Sequence, residues 1–341
     1  MKKKWVGVLT LLLSIFLVGT LQAHADDNQV GFSVSPVLPS NQYDNQASFF
    51  KLQVKPNEKQ SLSLVIANNT DQEAQYTVTP TSATTNENGA IDYSATSKKQ
   101  TADQTTPMHT LLSAKQTVTV PARDSKRVTF TLSTPKKQFA GVILGGFLVE
   151  QVDQKNADQN KQDGQLSLTN KYAYVIGVEI RESAKAVKHD VSLGAVKAST
   201  VNAHTVIQTN IENKQPEVLK NLTVTTTVTK QNGKDKVSAK KEALALAPQS
   251  TMKLGTQYND KKLAAGKYQA TVTVKQGNQT LLNEKRDFTV SKDEVNRAKN
   301  QAVASESVSM PWYSWLIIGL LAVVIIALGI IIWQLFKNKR K

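Results

Sequence analysis

The chain has 341 residues, 42 of them basic and 27 acidic, for a formal net charge of +15, and it contains no cysteine. Disulfide frameworks, thiol catalysis and thiolate metal sites are excluded by that composition. Seven of the basic residues lie at the two ends, which leaves about +8 spread through the middle beside acidic neighbours, the pattern of a solvated face.

Met1-Lys2-Lys3-Lys4 opens the chain, followed by the apolar run "WVGVLTLLLSIFLVGTLQ" and the site Ala23-His24-Ala25. A basic start, a short apolar core and an A-x-A site make residues 1–25 a secretory signal peptide, cleaved after Ala25. An uncleaved signal anchor is the alternative. Export without cysteine suits a Gram-positive envelope, since small eukaryotic ectodomains usually use disulfides.

From there the apolar residues alternate instead of recurring every three or four positions. "GFSVSP", "FFKLQV", "SLSLVIA", "AQYTVTP", "QTVTVP" and "KRVTFTLS" are short, β-branched runs separated by turn chemistry such as Asn86 to Gly89. The long runs Gly141–Gln151 and Lys171–Arg181 flank the polar stretch Gln154 to Gln165 and read as a hairpin. "TVIQTNIEN", "NLTVTTTVTK", "STMKLGT", "KYQATVTVK" and "QTLLNEKRDFTVS" continue the series, with Gly277-Asn278 as a turn signal. The spacing predicts an all-β ectodomain of two β-sandwiches, over 29–182 and 186–293, the first boundary alternatively falling near 155–165.

Residues 294–311 lose strand periodicity and read as a stalk, partly helical in "DEVNRAKNQAV". The uncharged run Trp315 to Phe336, roughly 22 residues, reaches about 33 Å as a helix, enough for a bilayer core. A transmembrane helix over 312–336 follows, with Trp312, Trp315 and Trp333 as interface anchors. The basic tail 337–341, with Lys337, Lys339, Arg340 and Lys341, puts the C-terminus in the cytoplasm and the ectodomain outside.

Motifs for chemistry are scarce. The mature chain keeps only His109, His189 and His204, without H-x-x-x-H spacing, and no G-x-S-x-G elbow is present. Asp190, Glu179 and Glu182 could pair in space, but a glycosidase needs two acids at a set separation in a cleft. No enzyme activity, cofactor or metal is expected. Nucleic acid is not an expected partner outside a cell; a polyanionic wall polymer is. The ectodomain has no Trp, so glycan contacts would fall to Phe or to Tyr43, Tyr76, Tyr93, Tyr172, Tyr174, Tyr258 and Tyr268, each otherwise a strand-packing residue.

In order along the chain, "FSVSPVLPSNQ", "FFKLQVKPNEKQSLSLVIANNT", "NENGAIDYS" and "PKKQFAGVILGGFLVEQ" resemble the first domain of the WxL-interacting proteins of low-GC Gram-positive bacteria. "NKYAYVIGVEIRE", "VSLGAVKA", "ENKQPEVLKNLTVTTTV", "LALAPQSTMKL", "LAAGKYQATV" and "RDFTVS" resemble their second domain. Gln249 departs from the Asn expected between Pro and Ser. The resemblance implies two immunoglobulin-like sandwiches, the first binding peptidoglycan and the second binding host or WxL partner proteins. It implies a non-enzymatic scaffold on the cell membrane, within the wall. A membrane-anchored chaperone that donates a strand is the rival reading, and a wall-modifying enzyme a third. Gly141, Gly145 and Gly146 interrupt one apolar strand. They predict either a bend with room for a bulky neighbour or a backbone left open to a partner.

Overall fold

The computed structural model describes residues 31–152, 172–201, 204–231, 233, 236–258 and 263–296, together with 319–321, 327 and 330. The cleavage site Ala23 and Ala25, the anchors Trp312, Trp315, Trp333, Lys337, Lys339, Arg340 and Lys341, and most of the stalk lie outside these residues. Among the described residues no helix is long and apolar enough to cross a membrane.

Strands dominate. In chain order they are β1 (Phe32–Val37), β2 (Phe50–Gln53), β3 (Lys59–Asn68), β4 (Ala74–Thr85), β5 (Ile91–Ala95), β6 (Gln116–Val120), β7 (Ser125–Ser133), β8 (Ile143–Gln151) and β9 (Ala173–Arg181). Then come β10 (Val191–Val201), β11 (His204–Asn213), β12 (Leu219–Lys230), β13 (Lys236–Leu246), β14 (Ser250–Gln257), β15 (Gly266–Gln276) and β16 (Gln279–Val290). The protein is all-β, and the alternation read from the sequence is why: in β3, Leu62, Leu64 and Ile66 point inward while the residues between them face out.

The chain clusters into two units. One takes the described residues up to Ser82, Met108–Phe139 and Gly145–Glu182; the other takes Ala83–Pro107, Ala140–Leu144 and the chain from Ser183. The runs around the polar stretch do become neighbouring strands, β8 and β9, and both lie essentially in the first unit. Packing explains why Ala83–Pro107 and Ala140–Leu144 cluster with the second unit. Ala83, Leu144 and Ala247 share a small core, with Ile91, Tyr93 and Val218 against it.

The first unit packs the sheet β1-β3-β7 against β2-β9-β8-β4, which β6 extends from β4. Phe32 meets Tyr76 at 4.8 Å and Phe130 meets Phe147 at 4.7 Å between ring centroids, each pair bridging the two sheets. Each such buried ring stabilises the fold by about 1.5–3 kcal/mol relative to leaving it in water. In the second unit, β10-β11-β14 faces β13-β12-β15-β16, and one core draws on both, with Ile211 and Met252 opposite Leu222 and Val272.

The strand orders show one connectivity used twice: β1-β3-β7 corresponds to β10-β11-β14, and β6-β4-β8-β9 to β13-β12-β15-β16. A buried asparagine sits at the same point in each. Asn68 Nδ2 donates to the carbonyls of Gln72, Val120 and Pro121, and Asn213 Nδ2 to those of Glu217 and Ala247. Each ties the loop leaving its strand to the turn after the facing edge strand, satisfying carbonyls that burial would otherwise leave unpaired. Those turns also match, for Arg123 and Gln249 both take left-handed backbone (φ 55 and 46).

A capped helix start follows β16. Ser291 Oγ accepts from Glu294 N at 3.1 Å while the Glu294 carboxylate accepts from Ser291 N at 2.7 Å, a capping box. Lys292 to Asn296 are helical, and Val295 packs into the core.

Candidate functional site

Strand β2 is an addition that the second unit lacks. It lies parallel to β9 in the register Phe50↔Val178, Lys51↔Glu179, Leu52↔Ile180 and Gln53↔Arg181. Phe50, Leu52, Val178 and Ile180 are fully buried, so the intervening Lys51, Glu179 and Arg181 line the outer face of the sheet.

The segment before β2 folds back along it. Gln42 bridges Leu52, Tyr43 N donates to Lys51 O at 2.8 Å, and Gln42 Nε2 donates to Phe49 O at 2.7 Å. This covers the outer edge of β2 and swings Tyr43 over the charged side chains of Lys51, Glu179 and Arg181. The Tyr43 hydroxyl donates to Glu179, and the Arg181 guanidinium stacks 3.4 Å from the centre of the same ring. Lys51 Nζ sits 5.1 Å from the Tyr43 ring, 6.0 Å from the Phe49 ring and 2.8 Å from Asp44 Oδ2. Stacked cations of this kind contribute about 0.5–2 kcal/mol each.

Phe49 closes the platform by lying across Gly177, where an added Cβ would come 3.2 Å from the ring. Burial, then the Glu179 hydrogen bond, raise the Tyr43 pKa, so the phenol stays protonated. The Lys51 hydrogen bond lowers that of Asp44, which stays charged. Arg181 Nε and Glu182 Oε2 are buried without a hydrogen-bond partner, the two such atoms on charged side chains among the described residues. One small patch thus offers two half-buried rings, two cations and two carboxylates.

The three glycines lie elsewhere, and the chain's own atoms crowd them. Gly141 has φ +70, and a Cβ there would overlap the Pro216 carbonyl. One on Gly145 would overlap the Thr81 carbonyl and lie 2.5 Å from Met108 Cβ; one on Gly146 would lie 2.8 Å from the Ile176 carbonyl oxygen. Each glycine therefore admits a neighbouring segment of the same chain.

Sequence reasoning named Tyr43 only among seven tyrosines and Glu179 only among scattered acids. It missed Phe49, Lys51 and Arg181 because their assembly depends on β2 crossing to a strand more than a hundred residues later. A parallel pairing at that separation leaves no local signal. Tyr76, Tyr258 and Tyr268 are core residues. Ser82 and His109 share a hydrogen bond of 2.9 Å, but Ser82 is fully buried and the pair braces the turn Met108–Thr110.

The fold is that of an all-β protein. The chain matches the family model "WxL Interacting Protein, peptidoglycan binding domain" over residues 32–151 and "WxL Interacting Protein, host binding domain" over 163–300. It belongs to the WxL-interacting protein family. The second match begins ahead of β9, a strand that clusters with the first unit. No curated protein matches the sequence.

Among solved structures, the class 5 fimbriae chaperone CfaA is similar at 12% identity, with 76% of this chain and 99% of that one covered and a TM-score of 0.29. The Pseudomonas aeruginosa chaperone CupB2 is similar at 10% identity, with coverages of 68% and 93% and a TM-score of 0.26. A PapD-like domain of human CEP192 gives 10% identity, 46% and 87%, and 0.26. Scores this low do not mark a common fold.

Proposed function

We propose that the chain is a non-enzymatic surface scaffold. Its first domain holds peptidoglycan, its second holds WxL or host proteins, and a single C-terminal helix tethers it to the cell membrane from outside. The observation that carries this reading is the pair of family matches, peptidoglycan-binding then host-binding, which together span most of the ectodomain in order. The connectivity supports an immunoglobulin-like description of both units, three strands facing four with the order repeated. The tether is read from the uncharged run Trp315 to Phe336 and its basic flank, and export from the A-x-A site.

The Tyr43–Phe49 platform suits peptidoglycan. Aromatic rings stack on the apolar faces of sugar rings, while Lys51 and Arg181 meet the carboxylates of lactyl groups and stem peptides, as charge-assisted pairs do. Residues 26–310 should sediment with purified sacculi. A protein that stays in the supernatant at low salt ends the wall-binding reading. Tyr43→Ala combined with Phe49→Ala should lower the bound fraction, and unchanged binding by that folded variant removes the platform from the site.

A further inference from the structure

The same sheet in the second unit presents a different face. Alternation along β12 buries Val224 and Val228 and turns Thr223, Thr225, Thr227 and Thr229 outward. On the adjoining β15, Thr271 and Thr273 stand opposite Thr227 and Thr225. Strand geometry sets these threonines about 6.8 Å apart along each strand and about 4.8 Å apart across them; Thr227 Oγ1 hydrogen-bonds Ser238 Oγ at 2.9 Å and Thr273 Oγ1 donates to Asn283 Oδ1 at 3.2 Å. Five exposed lysines share the face: Lys236 and Lys240 on β13, Lys267 and Lys275 on β15 and Lys285 on β16.

The two acids on this face already have partners. Asp287 accepts from Gln269 Nε2 at 2.9 Å, and Glu242 pairs with Lys240. The outward positions of β12 and β15 carry no aromatic ring and no acid. A face without rings cannot stack sugars, and one without aromatic anchors lacks what usually concentrates protein–protein binding energy. What remains is a flat, periodic array of hydroxyls among lysines, complementary to a repeating negative charge.

We infer that the outer face of β13-β12-β15-β16 binds a linear phosphodiester polymer, its lysines pairing with the phosphates and its threonines hydrogen-bonding to them. This site is separate from the peptidoglycan platform, and charge complementarity argues for it. Neutralising about four phosphates should make binding fall with salt at a log–log slope of about −3, or roughly fifty-fold between 50 and 200 mM.

The test uses residues 26–310 with long-chain inorganic polyphosphate as the probe, neutral dextran as control, and walls before and after chemical removal of phosphodiester polymers. The expected result is polyphosphate binding with that slope, none to dextran, and greater retention on intact than on stripped walls. Lys240 is already held by Glu242, so Lys267→Gln, Lys275→Gln and Lys285→Gln together should weaken polyphosphate binding at least tenfold and flatten the slope by about 2. These lysines are exposed, so the variant should melt as wild type does, and circular dichroism checks that. No polyphosphate binding at 50 mM salt, or an unchanged slope in the folded triple variant, overturns the inference. Equal retention on intact and stripped walls overturns it too, while leaving the peptidoglycan reading standing.

Discussion

Thr85 lies inside the stretch matched by the peptidoglycan-binding model, yet its hydroxyl serves the second unit. Thr85 Oγ1 accepts from Ala247 N at 2.9 Å and hydrogen-bonds Ser250 Oγ at 2.6 Å, with all three residues buried. Thr85→Val keeps the shape and removes the hydroxyl. Ala247 N then has no acceptor, and a buried unpaired donor costs about 1–3 kcal/mol. Ser250 Oγ still donates to the Ala247 carbonyl at 3.0 Å, so its loss is the smaller part. A net destabilisation of about 2 kcal/mol should lower the melting temperature of residues 26–310 by about 4–8 °C, at about 2–4 °C per kcal/mol. Circular dichroism is the assay, because the ectodomain has no Trp to report fluorescence. Residues 183–296 alone should melt lower still. They lack Thr85, the Gly89 carbonyl that accepts from Ala245 N at 2.7 Å, and the Ala83 and Leu144 side chains over Ala247. If Thr85→Val is neutral and the excised segment melts like the intact ectodomain, the shared-segment account of the second unit is wrong.

Gly145→Ala should destabilise the first unit by about 3 kcal/mol or more, because the overlap is with the Thr81 carbonyl, and a backbone atom cannot swing aside. A melting temperature within about 2 °C of wild type would contradict that packing. Burial lowers the His109 pKa below its ordinary 6.5, so the unfolded chain takes up the proton first. The stability held by neutral His109 is complete above about 6.5 and drains as pH falls through the folded value. Urea midpoints measured on either side of that window should therefore drop more for wild type than for His109→Asn, and equal drops would refute it.

Much of the fold was legible because alternation is a local signal. The pattern of "SLSLVIA" assigns Leu62, Leu64 and Ile66 to the core, and Gly277-Asn278 does turn β15 into β16, with Gly277 at φ 55. The β8–β9 pairing was legible as well, since two long apolar runs bracket one polar stretch. Contacts set by tertiary geometry were not. Nothing near Lys51 announces Glu179, and nothing near Thr85 announces Ala247. Gln249 shows the limit at a single residue. Its left-handed backbone explains why Asn is expected there, but only the structure shows the longer side chain reaching Thr105, accepting from its amide at 3.1 Å and donating to its hydroxyl at 3.0 Å.

Because one connectivity is used twice, what differs between the units bears on function more than what they share. The buried asparagines and the left-handed turns recur because the connectivity requires them. The edge strands do not match. In the first unit β2 covers β9, burying Val178 and Ile180 and carrying the aromatic platform. In the second, β16 has β15 on one side and no second ladder partner among the described residues, Arg286 donating instead to the Leu193 carbonyl of β10, and Asn283 to Asp287 are all exposed. Four consecutive charges there, Glu284, Lys285, Arg286 and Asp287, are what an unpaired edge carries to repel strand addition. That distribution argues against β16 as a strand-exchange edge, and it leaves the outer sheet face, where hydroxyls and lysines stand without a covering strand, as the surface for the binding proposed of this unit.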